Sequence, residues 1–310
     1  MKNFLKYVSV FSASLILLII GVEYMLRQVP NPLSFKQELI EKNALKTKNL
    51  IIGSSVVNCG INPAYLADST YNLAISGEWF RFNQMLLEKY LRQMPHLKNV
   101  FWGICFHSLW SDDSKTIDES SIVNHKIYMG ISRNDDKFHN VELLYLGSLS
   151  LRKWSKYYLQ KKSTVHCDSL GVDHSYDSNL KENSWFEEIP RLVRDQHKPM
   201  LADTDGSLYH ENIKRMHQVA QLCNSKGISL YLVMPPVHPV YFKLMDQKQL
   251  ALIRKAVKEV THKWKNVHSL EYFGDTRFND EDFYDGNHLS SDIGAIKFTQ
   301  ILKDDILTDL

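Results

Sequence analysis

The chain has 310 residues, 44% of them hydrophobic and 23% charged, which is a globular composition and excludes both intrinsic disorder and a polytopic membrane protein. The length allows one large α/β domain with an insertion, or two small domains. A formal net charge of +2 without any long basic run speaks against nucleic acid as the principal partner.

The N-terminus departs from the soluble pattern. Lys2 and Lys6 precede an uncharged stretch over residues 8–22, which extends from Phe4 to Met25 if Lys6 and Glu23 reach out to the interface. A membrane-spanning helix needs about 20 mostly apolar residues. A cleaved signal peptide is the alternative, but the flank GVEYMLRQVP is bulky, offers no small-x-small cleavage site and has no cysteine nearby for a lipid anchor. Residues 1–28 are therefore predicted to be an uncleaved signal anchor. The amino-terminal lysines put the short tail in the cytoplasm and the remainder outside, as a single-pass membrane protein. Residues 29–48 read as a linker, with Pro30 and Pro32 followed by a polar helix in FKQELIEKNAL.

From residue 49 the chain alternates strand and helix. KNLIIGSS is a buried strand ending on small residues, and TYNLAISG is a second, ending at Gly77. Residues 78–93 form a helix with Phe82, Met85, Leu86 and Tyr90 along one face. NVFWGICF is the third strand. HENIKRMHQVAQLCNSKG is a helix capped by Gly227, followed by the strand ISLYLVMPP, the helix QKQLALIRKAVKEVTHKW, the strand NVHSLEYF and the last helix GAIKFTQILKDDIL. The alternation predicts a three-layer α/β/α domain over residues 49–310, with a parallel flavodoxin-like sheet whose active site gathers at the C-terminal strand ends. Between residues 108 and 208 the pattern is lost. SDDSKTIDESS, a helix around ELLYLGSLSLRKWSKYYLQKK and a polar, turn-rich tail to DTDGS read as an insertion, either a lid or substrate platform or a surface elaboration. Its aromatic residues Trp110, Trp154, Tyr157, Tyr158 and Trp185 suit either sugar stacking or a satellite core.

Two short segments carry candidate chemistry. Gly53, Ser54 and Ser55 sit at a tight strand-to-helix turn, which exposes a hydroxyl and aims backbone N–H groups at a developing oxyanion. Asp285 and His288 in FYDGNHLSS provide a base and the acid that orients it from one loop, which is what a serine nucleophile requires. Taken singly, either segment is equally an ordinary turn. No further ligand cluster accompanies Asp285 and His288, so no metal site is predicted. Cys59, Cys105, Cys167 and Cys223 are far apart and form no zinc or redox motif. No cofactor is expected.

Together the two segments resemble the SGNH hydrolase superfamily, whose first block is Gly-Asp-Ser and whose last is Asp-x-x-His. Here these read Gly53-Ser54-Ser55 and Asp285-Gly286-Asn287-His288. The Gly-Ser-Ser form is similar to the DltD-like, membrane-anchored branch, and the likeness runs over about residues 48–108 and 209–308 without reaching the insertion. The resemblance implies Ser55 as nucleophile, Asp285 as orienting acid and His288 as base, with the backbone N–H groups of Ser55 and Gly77 as oxyanion donors. The family's third block, often Gly-x-Asn-Asp, supplies an Asn donor, whereas this chain has Gly103-Ile104-Cys105-Phe106-His107. Either the two backbone donors suffice, or His107 or Ser108 substitutes, or the site is impaired. Ser54 is the second choice of nucleophile and Asp282 of acid, and His238 follows the fourth strand near the same edge. The implied function is an extracytoplasmic O-acyl esterase or O-acyltransferase acting on cell-envelope or exported glycans, with an integral membrane acyl donor as a further partner by the same analogy. The alternative is a non-catalytic glycan-binding or scaffolding protein that keeps the fold.

Overall fold

The structure, a computed structural model, describes residues 1–111, 119–132 and 140–308. The part of the run SDDSKTIDESS at residues 112–118 lies outside them. The chain divides into two compact units, one of Met1–Gln37 with Ile117–Val165 and a larger one of Glu38–Thr116 with His166–Leu310.

The larger unit is α/β. Its five-stranded sheet consists of β1 (Asn49–Ile52), β2 (Thr70–Asn72), β3 (Asn99–Gly103), β4 (Ser229–Met234) and β5 (Val267–Glu271), in the order β2-β1-β3-β4-β5. Every pairing is parallel. Covered on both faces, β1 is buried along its whole length, which is why these strands read as continuous apolar runs rather than alternations. Ile51, Phe101, Tyr231 and His268 occupy one transverse row of the register. Their rings stack along it, Phe101 on Tyr231 at 4.9 Å and Tyr231 on His268 at 5.0 Å. On that face Ile51, Phe101, Tyr231, Val233 and Leu270 share a core with Phe298 and Leu302 of the last helix, Gly294–Thr308. On the opposite face Trp102 is fully buried against Phe80, which begins the helix Phe80–Tyr90.

The predicted helices of the core are present as Phe80–Tyr90, Ser207–Asn224, Gln247–Lys263 and Gly294–Thr308. The positive φ of 67° at Gly227 fits its capping position. The second strand stops short of the expected Gly77, at Asn72. Backbone bonds to the β1 segment nevertheless continue, from Leu73 N to Ile51 O (2.8 Å) and from Ile75 N to Gly53 O (3.1 Å). Within residues 108–208 the structure departs twice from the sequence reading. Trp185–Ala202 is an 18-residue helix where a turn-rich tail was expected. Ile189 and Val193, four residues apart, give it a buried face, but Pro190 and Pro199 and a dense charge pattern hide it. The expected single helix over residues 142–162 is broken at Gly147, with φ 46°, into Glu142–Leu146 and Ser148–Tyr158.

The smaller unit begins with the helix Lys2–Arg27, of 26 residues. Over Asn3–Arg27 it is long and apolar enough to cross a membrane.

Asn72 pins the turn that follows β1. Fully buried, it donates to Val57 O (2.7 Å) and Ile61 O (3.1 Å) and accepts from Ala74 N (3.0 Å). Asn72→Ala removes that partner from Ile61 O and Ala74 N, while Val57 O keeps Ile61 N (3.3 Å), and each buried group left unpaired costs about 1–3 kcal/mol. We expect a loss of about 3 kcal/mol in the larger unit, read as a lower urea midpoint by tryptophan fluorescence.

Candidate active site

The site is built on close approach of backbone. At Gly53, just past β1, φ is 143°, and an added Cβ would come within 2.7 Å of Val57 Cγ2 and 3.1 Å of Gly103 N. Glycine alone suits that position. The chain then turns through Ser54, which is extended and 8% exposed, into the short helix Ser55–Asn58. Ser55 is its first residue and half-buried.

The partner loop lies between β5 and the last helix. It closes on itself through a bridge between Phe283 and Leu289 and a bond from Tyr284 N to His288 O (2.9 Å). Inside the loop Asp285 Oδ1 accepts from the backbone N–H groups of Asn287 and His288, both at 2.9 Å. This Asx-type turn fixes the carboxylate relative to its own histidine. His288 Nδ1 lies 3.0 and 2.9 Å from the two Asp285 oxygens, and His288 Nε2 lies 2.7 Å from Ser55 Oγ. The chain of distances fits a Ser55 hydroxyl donating to Nε2 and an Nδ1–H donating to the carboxylate, within the reach expected of a nucleophile, base and orienting acid.

Burial pushes the Asp285 carboxyl up, but His288 and the two amides outweigh it and hold it below its ordinary value. A depressed carboxyl stabilises the fold fully above its unfolded value of about 3.9. That contribution is lost as the pH falls through the lower, folded value.

Gly77 sits in the turn Ile75–Glu78, closed by Glu78 N donating to Ile75 O at 3.1 Å. Its φ is 81°, and a Cβ there would meet open space. The bond from Ile75 N to Gly53 O ties this turn to the one that carries Ser55.

The remaining candidates are engaged elsewhere. Ser54 Oγ is 3.8 Å from Cys105 Sγ, on the inner side of the turn. Asp282 is buried, accepts from Asn279 N (2.9 Å) as the far half of a capping box and pairs with Lys297 at 2.7 Å. His238 is 2% exposed. Its Nδ1 accepts from Val240 N (3.2 Å) at a helix start, and its Nε2 lies 2.9 Å from Asp280. His107 packs against Cys105, with Nδ1 3.6 Å from the sulfur, and edge-on to Trp79. Among the described residues, no group of three or more His, Cys, Asp or Glu side chains is placed to hold a metal ion.

One site residue was not found from the sequence. The ring of Tyr176 lies 4.8 Å from that of His288 and tilts 37° to it, and Tyr176 O accepts from Ser291 N at 3.0 Å. The short irregular turns around it carry no periodicity that would single it out. Beside Asp285 opens a cleft of about 260 Å³, walled by Trp185, Leu192 and Tyr284 and by charged Glu182, Glu188 and Arg191. Among the other aromatic residues of the insertion, Trp110 is buried and stacks on Tyr209 at 5.6 Å, which is core packing.

Cys105, beside His107, holds a thiol under unusual influence. Burial pushes Cys105 up, but His107 and hydrogen bonds from His107, Ser108 and Ser54 bring it down to about 6. We expect a thiolate at neutral pH, visible as ultraviolet thiolate absorbance. His107→Gln should abolish one thiolate equivalent of that absorbance, and an unchanged spectrum would refute the pairing.

No family model and no curated protein sequence matches the chain. Among solved structures, it is similar to a protein from Streptococcus pneumonia provisionally described as a platelet activating factor. The match has 12% identity and a TM-score of 0.44 and covers 96% of this chain and 99% of that one. At that identity and score the likeness carries no weight for function.

Proposed function

We propose that the protein is a membrane-anchored serine esterase or O-acyltransferase of the SGNH type. The observation that carries this reading is the unbroken relay from Ser55 Oγ through His288 to Asp285. Ser55 Oγ attacks the carbonyl carbon of an O-acyl ester while His288 Nε2 takes the hydroxyl proton. The negative charge on the former carbonyl oxygen is received by the backbone N–H groups of Ser55 and Gly77. Collapse breaks the ester C–O bond, and the imidazolium returns its proton to the leaving alcohol. Water or a sugar hydroxyl then gives up its proton to His288, attacks the acyl-Ser55 and regenerates the serine. Asp285 holds the tautomer and stabilises the imidazolium throughout. Cys105 stands where the third block would offer an amide donor, so the oxyanion rests on two backbone groups.

In this reading the N-terminal helix is a membrane anchor, and the lysine asymmetry of the tail puts the catalytic unit on the extracytoplasmic side. The substrate class consistent with that location is an acylated envelope polymer or exported glycan. An integral membrane protein that delivers the acyl group is the corresponding partner for transfer.

Ser55→Ala and His288→Ala should each lower hydrolysis of a small acetyl ester by about 10⁵-fold or more, and Ser54→Ala should retain most of it. A fluorophosphonate should label Ser55 in the folded protein. Absence of labelling would instead leave a non-catalytic binding protein on this fold.

Asp285→Asn tests the acid separately. It preserves volume but presents an amide to Nδ1, so kcat should fall about 10⁴-fold with little change in KM.

A further inference from the structure

The smaller unit carries a surface that the proposed chemistry does not use. Residues 4–22 of the N-terminal helix expose their apolar side chains, with Phe11 at 70% and Leu17 at 69%. At about 1.5 Å per residue that stretch spans roughly 27 Å, close to the thickness of a bilayer core. The helix becomes buried by protein at its far end, where Glu23 and Leu26 are 8% and 0% exposed, and Val29 just past it is 1% exposed.

What buries it is the pair of helices Glu142–Leu146 and Ser148–Tyr158. The Glu23 carboxylate accepts from Glu142 N and Leu143 N, both at 3.0 Å, and pairs with Arg27 at 3.0 Å. Tyr158 donates its hydroxyl hydrogen to Met25 O at 3.0 Å. These contacts fix the helical pair to residues 23–25, within about 5 Å along the axis of the point where the helix leaves the apolar layer. The pair therefore lies at headgroup depth.

Its outward face has the composition such a depth requires. Leu144, Leu149 and Leu151 are 66%, 50% and 53% exposed, and Leu159, just past the second helix, is 68% exposed. Arg152, Lys156, Lys161 and Lys162 are exposed among them. Over residues 140–162 the charge is five basic (Arg152, Lys153, Lys156, Lys161, Lys162) against one acidic (Glu142), or +4. Glu142 is already neutralised inside the unit by Lys153 at 3.0 Å and bonded by Tyr128, so the outer four cations have no counter-charge within this segment. Leucines interleaved with long basic side chains are poorly suited to water. They suit an interface where the leucines insert and the cations reach phosphate.

We propose that this helical pair is a second membrane contact, which lies on an anionic lipid surface beside the N-terminal helix. The inference rests on that helix spanning the bilayer.

The test uses the full chain in nanodiscs that contain an anionic phospholipid, with a photo-crosslinking residue in place of Leu149, Leu151 or Leu159, and Leu17 as the anchor control. Lipid adducts are expected at all four positions. At the three hairpin positions the yield should fall at least about threefold when the lipid is purely zwitterionic, or when Arg152→Gln, Lys156→Gln, Lys161→Gln and Lys162→Gln are combined. Adducts at Leu17 alone would overturn the second contact and leave the anchor intact. So would hairpin adducts to another protein in native membranes, which would make this face a protein interface. No lipid adduct at Leu17 would remove the anchor itself and the inference with it.

Discussion

Val57 fills the space left by two absent side chains. A Cβ on Gly53 would lie 2.7 Å from one of its methyl groups, and a Cβ on Gly103 would lie 2.6 and 2.7 Å from both. This contact lets the segment after β1 settle onto the end of β3 instead of standing off it. Interiors packed to crystal-like density leave no slack for even one added methyl group, so the position of Ser55 follows from where Val57 is allowed to sit. Asn72 then clamps the same segment from the other side through Val57 O and Ile61 O. The hydroxyl is thus held by packing and backbone bonds before its histidine is considered.

The histidine arrives from the far end of the chain. Ser55 and His288 are 233 residues apart in sequence, and a parallel sheet is what makes the distance irrelevant. Every strand leaves the sheet on the same edge, so the segments after β1 and β5 share it whatever separates them. The loop of residues 283–289 has its carboxylate, its imidazole and its closing bridge all local, and His238 N donates to Gly286 O at 3.0 Å from the segment after β4. It needs only to be delivered to that edge.

Much of this was legible in the sequence because it is local. Apolar runs bounded by small residues gave the strands, the 3.6 period gave the core helices, and Asp285 three residues before His288 fits a turn that can present both. The pairing of that loop with the Gly-Ser-Ser turn came from resemblance, and the geometry is compatible with it. What escaped depended on tertiary contacts. The helix Trp185–Ala202 carries two prolines and survives because Ile189 and Val193 are buried by the rest of the unit. Tyr176 lies in a stretch of irregular turns, and only folding brings its ring onto His288. The break at Gly147 needs a positive φ that a periodicity count passes over.

Asp285 has a structural duty beyond its histidine. One of its oxygens also receives the amides of Asn287 and His288. When the carboxyl takes up a proton it becomes a weaker acceptor for three donors at once. On the proposed mechanism, the acid limb of a rate profile would combine a change of charge with a loosening of the backbone that carries His288. Those two amides act as internal reporters, because their solvent exchange tracks the ionisation of the acid in the absence of any substrate.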